Sequence, residues 1–267
     1  MADLVKFKSI DGLSESQFNA QPGRINAILV LAEGTNKAGQ VGTDENVGRI
    51  EITRNGQPIV NRSFNHFVDM NDIRAGKSLY DSTDGAAFLA SAFIPFFEKG
   101  HPNALNITGE DELNVRFIPA DDGTVFADLD ITFEQQMVSL SERYLYKILG
   151  NDINPAAALN ADGFNLNQNN VSALYLEDID DVITNLSFES NERNVVTTNG
   201  YDALRAYTNY NNRIENDTFD IVEIENHTPG VPGSTVNRNN RLIFTTSGAG
   251  SIDVTVCSMH WNGKNGR

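Results

Sequence analysis

Clustered carboxylates are the side chains of this sequence whose types and spacing best suit chemistry. Three clusters occur in polar, turn-like surroundings, at residues 110–112, at residues 121–122, and at residues 177–178 with 180–181. Carboxylate oxygens bind calcium, but no cluster has the spacing of an EF-hand loop. Two carboxylates about 5 to 9.5 Å apart also serve glycoside cleavage, a separation that only the fold can set. The simplest interpretation of each cluster is a group of solvated turn residues.

Other signals of catalysis are weak. Residues 75–78 read AGKS, which ends like a phosphate-binding loop, but Asn71 stands where that loop requires its first glycine. No G-x-S-x-G elbow marks a nucleophilic serine. The four histidines are isolated in the sequence: His66, His101, His227 and His260. A zinc site or a Ser-His-Asp arrangement would need residues that meet only in the fold, so we assign no catalytic residue, metal ligand or cofactor.

The composition is that of a globular protein. The 267-residue chain is 40% hydrophobic, and its single cysteine, Cys257, lies in a strand-like alternation. The net charge of −16 argues against direct binding of nucleic acid, which requires Lys and Arg to displace counterions from phosphates. No apolar run is long enough to span a bilayer, and we expect no export by a signal peptide. The length permits one large domain or two smaller ones.

Two strand patterns joined by an acidic turn lie at residues 113–133, LNVRFIPADDGTVFADLDITF. Apolar and polar residues alternate on both sides of the turn, as is typical of strands with one buried face. A shorter version returns at residues 241–259, RLIFTTSGAGSIDVTVCSM, where Leu242 corresponds to Val115. The pattern predicts a β-hairpin that occurs twice, and therefore a fold that occurs twice.

Three further segments repeat in the same order. IEITRNGQPIV from Ile50 aligns without a gap with LSFESNERNVV from Leu186, and its Asn-Gly turn favours a tight hairpin. The helix-like segments FNHFVDMND and GYDALRAYT follow. FIPFFEKGHP from Phe93 then matches FDIVEIENHTP from Phe219. Four such pairs in one order indicate an internal duplication.

We therefore predict an all-β protein of two similar units with short helical insertions. An N-terminal arm occupies residues 1–24, the first unit residues 25–138, a connector residues 139–170, and the second unit with a short C-terminal tail residues 171–267. The connector begins with bulky residues that can form a helix or an extended segment, and it continues as an Ala-, Asn- and Gly-rich stretch.

This organisation resembles the double jelly-roll major capsid proteins of icosahedral viruses, in particular those of corticoviruses and related lipid-containing bacteriophages. Three features carry the resemblance, which covers about residues 25–262. They are the pattern I-x-I-x-x-N-G-x-x-I from Ile50, a connector helix candidate at residues 139–149, and the closing pattern I-x-V-x-V-x-x-M-x-W from Ile252. The resemblance implies two tandem jelly-roll β-sandwiches, a double jelly roll, at residues 25–138 and 171–267.

The resemblance also implies a function. The chain would be a viral major capsid protein and not an enzyme, made in the host cytoplasm and located in the virion. Pseudo-hexagonal homotrimers would tile an icosahedral shell over an internal membrane, beside neighbouring capsomers and minor capsid proteins. The alternative is a carbohydrate-binding or glycan-cleaving jelly roll. That protein would need an exposed aromatic platform or a carboxylate pair in a cleft, and the one tryptophan, Trp261, ends the last strand pattern.

Basic residues near both ends of this acidic chain are the candidate site that the resemblance suggests. In such capsid proteins the chain ends lie toward the inner base of the shell. The basic residues are Lys6, Lys8, Lys264 and Arg267. We expect them to contact lipid headgroups of the internal membrane, since anionic headgroups attract each Lys or Arg by about 1 kcal/mol. The alternative is that they are ordinary solubilising charges.

Overall fold

The chain forms two compact units, each built from β-strands. The computed structural model describes residues 3–75, 80–98, 100–166, 169–190, 193–198, 201–202, 206, 221–225 and 239–261. The first unit is Met1–Leu145 and the second is Tyr146–Arg267. Within these described ranges, no helix has the length and apolar character needed to cross a membrane.

The strands of the first unit pair in two antiparallel groups. The elements in chain order are β1 (Asp3–Asp11), β2 (Ser16–Asn19), β3 (Gly23–Asn36), a short 3-10 helix (Asp44–Asn46), β4 (Gly48–Arg54), β5 (Gln57–Ser63), α1 (Phe64–Ala75), β6 (Tyr80–Ser82), β7 (Ala87–Pro95), β8 (Leu105–Ile107), β9 (Leu113–Pro119) and β10 (Phe126–Met137). One group has the order β1-β10-β3-β7-β6, with β8 also paired to β3. The other has the order β2-β9-β4-β5.

The second unit also has two groups of strands. Its elements are β11 (Tyr144–Gly150), which runs across the boundary between the units, β12 (Asp162–Asn165), β13 (Val171–Asp178), β14 (Ile183–Ser190), β15 (Arg193–Thr198), β16 (Ile221–Glu225), β17 (Asn240–Thr246) and β18 (Ile252–Trp261). Their orders are β11-β18-β13-β16 and β12-β17-β14-β15.

The two units share one strand order. With β6 and β8 set aside, the first unit reads β1-β10-β3-β7 and β2-β9-β4-β5, and replacing each strand by its counterpart gives the order of the second unit. Strands β1 and β11 are the first counterparts in the chain, and β10 and β18 are the last. Eight strands in two such sheets form a jelly roll. The predicted all-β fold of two tandem jelly rolls is confirmed.

The duplication extends to an irregularity in one hairpin. Ile52 of β4 faces Val60 of β5, and the register shifts immediately after Ile52. Phe188 of β14 faces Val196 of β15, and the register shifts immediately after Phe188. The ungapped alignment pairs these same residues, so the two hairpins carry a β-bulge at the same position. The predicted repeat of this hairpin is confirmed.

The helix predicted after β5 is also confirmed as α1. Asn71 of α1 donates a hydrogen bond to the Phe93 carbonyl (2.9 Å) and accepts one from the Phe93 N–H (2.5 Å). The side chain of Asn71 thus pairs with the carbonyl and the N–H of Phe93, as the backbone of a neighbouring strand would, and this attaches α1 to β7. The matching segment of the second unit lies largely outside the described residues.

The stretch at residues 113–133 contains two strands, but it is not a hairpin. Strand β9 pairs with β2 and β4, whereas β10 pairs with β1 and β3, so the turn carries the chain from one sheet to the other. The β17–β18 turn does the same. Alternation predicted the strands because Phe117 and Ile131 lie on buried faces. It does not specify which partner a strand will pair with.

The predicted arm and connector are the opening strands of the two jelly rolls. The arm, residues 1–24, contains β1 and β2, which pair with β10 and β9. The connector, residues 139–170, contains β11 and β12, which take the same places in the second unit. The described strands of both segments are therefore part of the sheets, and the boundary between the units falls inside the connector, between Leu145 and Tyr146.

The helix candidate at residues 139–149 is wrong. Tyr144, Tyr146 and Ile148 are buried at every second position of β11, which is the period of a strand. The extended alternative for this segment is therefore the correct one.

Each sandwich closes around apolar side chains from both of its sheets. In the second unit, one cluster includes Phe188 and Phe244 from one sheet and Leu174, Val254 and Val256 from the other. Burial of these faces is the main driving force for the sandwich, because apolar area removed from water stabilises the fold by about 25 cal/mol per Å².

Replacing Phe117 with Asp is expected to abolish folding of the first unit. Phe117 and Ile131 are fully buried on strands of different sheets. An unpaired carboxylate there costs several kcal/mol, which is comparable with the whole stability of a domain, about 5–15 kcal/mol. Ile131→Asp should have the same effect. Circular dichroism and thermal unfolding of the full-length chain measure both variants.

Ala127→Asp is the control, because Ala127 is an exposed residue of β10 and its substitution also adds a carboxylate. A Phe117→Asp protein that folds as well as this control would show that β9 does not contribute to the core.

Candidate functional site

Asp121 is a buried anchor of the β9–β10 turn and not a solvated residue. Its carboxylate accepts hydrogen bonds from the N–H groups of Thr124 (2.8 Å), Val125 (3.1 Å) and Phe126 (2.9 Å), and from the Thr124 hydroxyl (2.9 Å). Burial acts to raise the pKa of Asp121, but the hydrogen bonds outweigh burial and hold that pKa below its ordinary value. A carboxylate engaged in this way fixes the turn and is not available as an acid or base.

Asp178 has a similar role at the β13–β14 turn of the second unit. Its two oxygens accept hydrogen bonds from the N–H groups of Val182 (3.0 Å) and Ile183 (2.7 Å). Here burial prevails over these bonds and raises the pKa of Asp178, and the nearby charges of Asp181 and Asp180 add to the rise. This carboxylate is also buried, so its interpretation as solvated is wrong while its interpretation as a turn residue is correct.

Asp111 represents the remaining acidic cluster. It accepts hydrogen bonds from the N–H (3.0 Å) and hydroxyl (2.8 Å) of Thr108 and from the side chain of Asn55 (3.0 Å), and Arg54 lies 3.5 Å away. The bonds from Thr108 and Asn55, with a smaller effect of Arg54, lower the pKa of Asp111 far below its ordinary value. In each of the three clusters at least one carboxylate is therefore part of the turn structure.

The histidines that the structure describes make local contacts. His66 Nδ1 lies 2.5 Å from Ser63 Oγ, and the His101 carbonyl accepts a hydrogen bond from the Tyr144 hydroxyl. Near the end of β18, His260 Nε2 lies 3.1 Å from Ser258 Oγ. Two of the sequence candidates, the GKS motif and the remaining histidine, lie outside the described residues.

His260 is held neutral at physiological pH by its surroundings. Burial, with a further contribution from the charge of Lys147, lowers the pKa of His260 to about 4. Cys257, earlier in β18, is a buried free cysteine, consistent with its predicted place in a strand.

The first strand presents two of the four predicted basic residues. Lys6 and Lys8 are exposed on β1, which is the last strand of its sheet among the described residues and lies next to β10. A bulge between them leaves Phe7 as an extra residue, with its ring 5.9 Å from Phe18 and 6.2 Å from Phe133. The Lys8 ammonium lies 5.9 Å from the centre of the Phe18 ring. The aromatic cluster fixes the part of β1 that carries the two lysines.

Two exposed apolar side chains precede these lysines in β1. Leu4 and Val5 are 50% and 38% exposed, immediately before Lys6. We call these two residues, with Lys6 and Lys8, the β1 edge. The other two predicted basic residues, Lys264 and Arg267, lie outside the described residues. The bulge also makes the alternation of apolar and polar residues in β1 irregular, since one extra residue shifts the period.

Replacing Asp121 with Ala is expected to destabilise the protein by about 3 kcal/mol, because several backbone donors lose a charged acceptor. Since the folded pKa of Asp121 is depressed, this contribution is complete above the ordinary pKa of 3.8 and declines as the pH falls through the lower, folded value. Denaturant unfolding at pH 7 and pH 3 should give a smaller difference between wild type and variant at pH 3.

Asp122→Asn is the control, because it removes an exposed carboxylate from the same turn. An Asp121→Ala protein that is no less stable than this control would contradict the role of Asp121 as the anchor of the turn.

Comparison with known proteins finds similarity in structure only. No model of a known protein family matches the sequence, and no curated protein matches it. A chain in the atomic structure of Sulfolobus turreted icosahedral virus is 9% identical with a TM-score of 0.74, and the match covers 99% of this chain and 92% of that one. The major capsid protein of bacteriophage PM2 is 12% identical with a TM-score of 0.67, and the match covers 100% of both chains.

A chain of the PBCV-1 virus capsid is also similar, at 10% identity and a TM-score of 0.64, over 98% of this chain and 95% of that one. The structural neighbours thus include viral capsid proteins, one of them from a bacteriophage. Identities of this size concern the fold, and here the match extends over both units. From one end to the other, the chain has the fold of the double jelly-roll major capsid proteins.

Proposed function

We propose that this protein is a viral major capsid protein, a structural subunit whose homotrimers tile an icosahedral shell over an internal membrane. One observation carries the proposal. The same eight-strand order occurs in both units, and capsid proteins with this double arrangement match the chain over almost its full length. The protein would be located in the virion and would contact neighbouring capsomers and minor capsid proteins.

The duplication has a geometric use in such an assembly. Three copies of a chain with two similar units supply six similar units, so a three-fold oligomer offers nearly six-fold edges to its neighbours. Loops between strands can differ among the units without disturbing the sandwiches. The protein would then act through the geometry of its trimer, with no chemical step.

The state of the acidic clusters supports a non-enzymatic role. The three acidic clusters were the sequence candidates for calcium binding or glycan cleavage. In each cluster one carboxylate accepts hydrogen bonds from its own turn, namely Asp121, Asp178 or Asp111. A glycosidase needs one carboxylate as an acid and another as a base or nucleophile, both open to substrate. The glycan-cleaving alternative therefore receives no support from these residues.

The β1 edge is the surface that we propose for contact with the membrane. Lys6 and Lys8 offer charges to anionic headgroups, and the exposed Leu4 and Val5 offer apolar surface to the boundary with the acyl chains. Lys264 and Arg267 would add to the same interaction. The combination of cations with exposed aliphatic side chains distinguishes this edge from a surface that only provides solubility.

The oligomeric state tests the capsid proposal. We expect native mass spectrometry to give a trimer of about three times 29.3 kDa, and electron microscopy to show a nearly six-sided block. A protein that remains a monomer at all concentrations tested, without particles in micrographs, would contradict the proposal.

Neutralising the β1 edge tests the membrane contact. The double variant Lys6→Gln/Lys8→Gln should bind liposomes that contain phosphatidylglycerol about 30-fold more weakly than wild type, since two headgroup contacts are worth about 2 kcal/mol. Cosedimentation at low and physiological salt measures the binding, and the difference should shrink as salt rises. Adding Lys264→Gln and Arg267→Gln should weaken binding further.

The matched control is Arg143→Gln/Arg241→Gln, which removes two exposed positive charges elsewhere in the chain. Equal losses in the two double variants would show that net charge alone governs binding, and the membrane role of the β1 edge would be wrong.

A further inference from the structure

A polar cavity opens on one sheet of the second unit. Its volume is about 360 Å³, and the described residues in its lining are Gly163, Asn165, Glu189, Asn239 and Arg241. The capsid function proposed above does not use this cavity, and neither the acidic turns nor the β1 edge contributes to it.

The register of three adjacent strands brings the side chains into one row. Arg241 of β17 faces Asn165 of β12 on one side and Glu189 of β14 on the other. Residues that face each other directly project from the same side of a sheet. The next residues along the strands, Leu242 and Phe188, are buried in the core. Since successive side chains alternate, the row lies on the outward side.

Gly163 leaves room for the arginine. It lies two positions before Asn165 in β12 and therefore on the same side of the sheet. A Cβ atom at Gly163 would collide with the guanidinium of Arg241. The guanidinium thus rests against the bare backbone of β12, and a close approach of this kind is a reason for glycine inside a strand.

The lining side chains offer a mixed set of hydrogen-bonding groups. The Arg241 guanidinium only donates, the Glu189 carboxylate only accepts, and the amides of Asn165 and Asn239 do both. Among the residues that the structure describes, none forms a hydrogen bond or ion pair with these four side chains. As far as the described residues are concerned, the polar atoms of these side chains can therefore hydrogen-bond to a ligand.

The charges of the cavity restrict the class of ligand. Arg241 and Glu189 together have no net charge, and the chain as a whole carries −16. An anion such as phosphate would meet the Glu189 carboxylate and the field of an acidic protein. A neutral ligand with many hydroxyl groups avoids both, and each of its hydroxyls can donate to Glu189 or accept from Arg241.

We propose that this cavity binds a neutral saccharide through hydrogen bonds alone, without the aromatic platform or carboxylate pair of a dedicated carbohydrate-binding jelly roll. In the row of side chains, the Arg241 guanidinium donates, and it lies between the Glu189 carboxylate, which accepts, and the Asn165 amide, which does both. Neighbouring hydroxyls of a sugar ring can pair with these three groups in turn. The volume is near the lower end of the range for small-molecule sites, about 300–1,000 Å³, and suits one or two sugar rings. The site would make this protein a saccharide-binding protein whether or not it also assembles into a capsid.

Titration of the full-length protein with lactose, maltose and N,N′-diacetylchitobiose tests the proposal, with saturation-transfer NMR as the readout. We expect at least one of these sugars to bind, and Arg241→Ala to weaken that binding at least tenfold, because the central donor of the row is lost. Gly163→Ala should weaken it similarly. Its methyl group displaces the guanidinium and leaves every polar side chain of the cavity present.

Arg143→Ala is the control, because it removes an exposed arginine from the first unit and should leave sugar binding unchanged. Thermal unfolding verifies that each variant is folded. If Gly163→Ala unfolds the protein, the comparison of Arg241→Ala with Glu189→Gln decides, and both should bind the sugar more weakly than wild type.

Three results would overturn the proposal. They are no binding of any of the three sugars, equal binding by wild type and the folded cavity variants, and tighter binding of inorganic phosphate than of the sugars. None of these results bears on the capsid proposal, which depends on the oligomeric state and not on the cavity.

Discussion

The packing of two sheets on each other is the constraint on which the rest of this structure depends. A sheet with one apolar face is stable only when that face is covered, and each unit covers it with its own second sheet. The chain must therefore change sheets repeatedly, as it does between β9 and β10 and again between β17 and β18. Turns at these changes have to hold two strands that do not hydrogen-bond to each other. Asp121 lies at the β9–β10 turn, and Asp178 lies at the β13–β14 turn, which also connects two sheets. Their buried carboxylates stabilise these turns, because they supply the hydrogen-bond acceptors that a paired strand would otherwise provide.

The sequence predicted the strands well because their buried faces impose a period of two. Leu129, Ile131 and Phe133 alternate with polar residues, and the structure buries all three. The duplication was also visible, since Ile52 and Phe188 align without a gap and both precede a bulge. These signals are local along the chain. They arise from the face that a residue presents, which is a property of its own position in the strand.

Pairing between strands was not predictable from the same signals. The turn at residues 121–125 has the composition of a hairpin turn, and only the rest of the sandwich decides that the two strands go to different sheets. In β1, the bulge at Lys6 and Lys8 interrupts the alternation, so a strand of the sheet resembled an arm. In β11, Tyr144 and Tyr146 have the period of a strand, but their bulk and the flanking residues also suit a helix. The saccharide cavity had no sequence signal, because Gly163, Glu189 and Arg241 meet only through the register of three strands.

Side chains of a strand in a sandwich point either inward to the core or outward to solvent. This difference explains how the same fold occurs in proteins whose sequences are only 8–12% identical with this one. Inward positions require apolar residues of suitable volume, and many different sequences satisfy that requirement. Outward positions are not constrained by the core, so they diverge freely unless a contact selects them. Specific functions of one such protein therefore have to be sought in its outward residues, such as Lys6 on β1 or Arg241 on β17. A similarity that is restricted to the fold does not transfer them. An outward glycine in the interior of a strand, as at Gly163, weakens the strand unless something must approach its backbone. In this chain the guanidinium of Arg241 approaches that backbone, so the glycine and the arginine together shape the cavity.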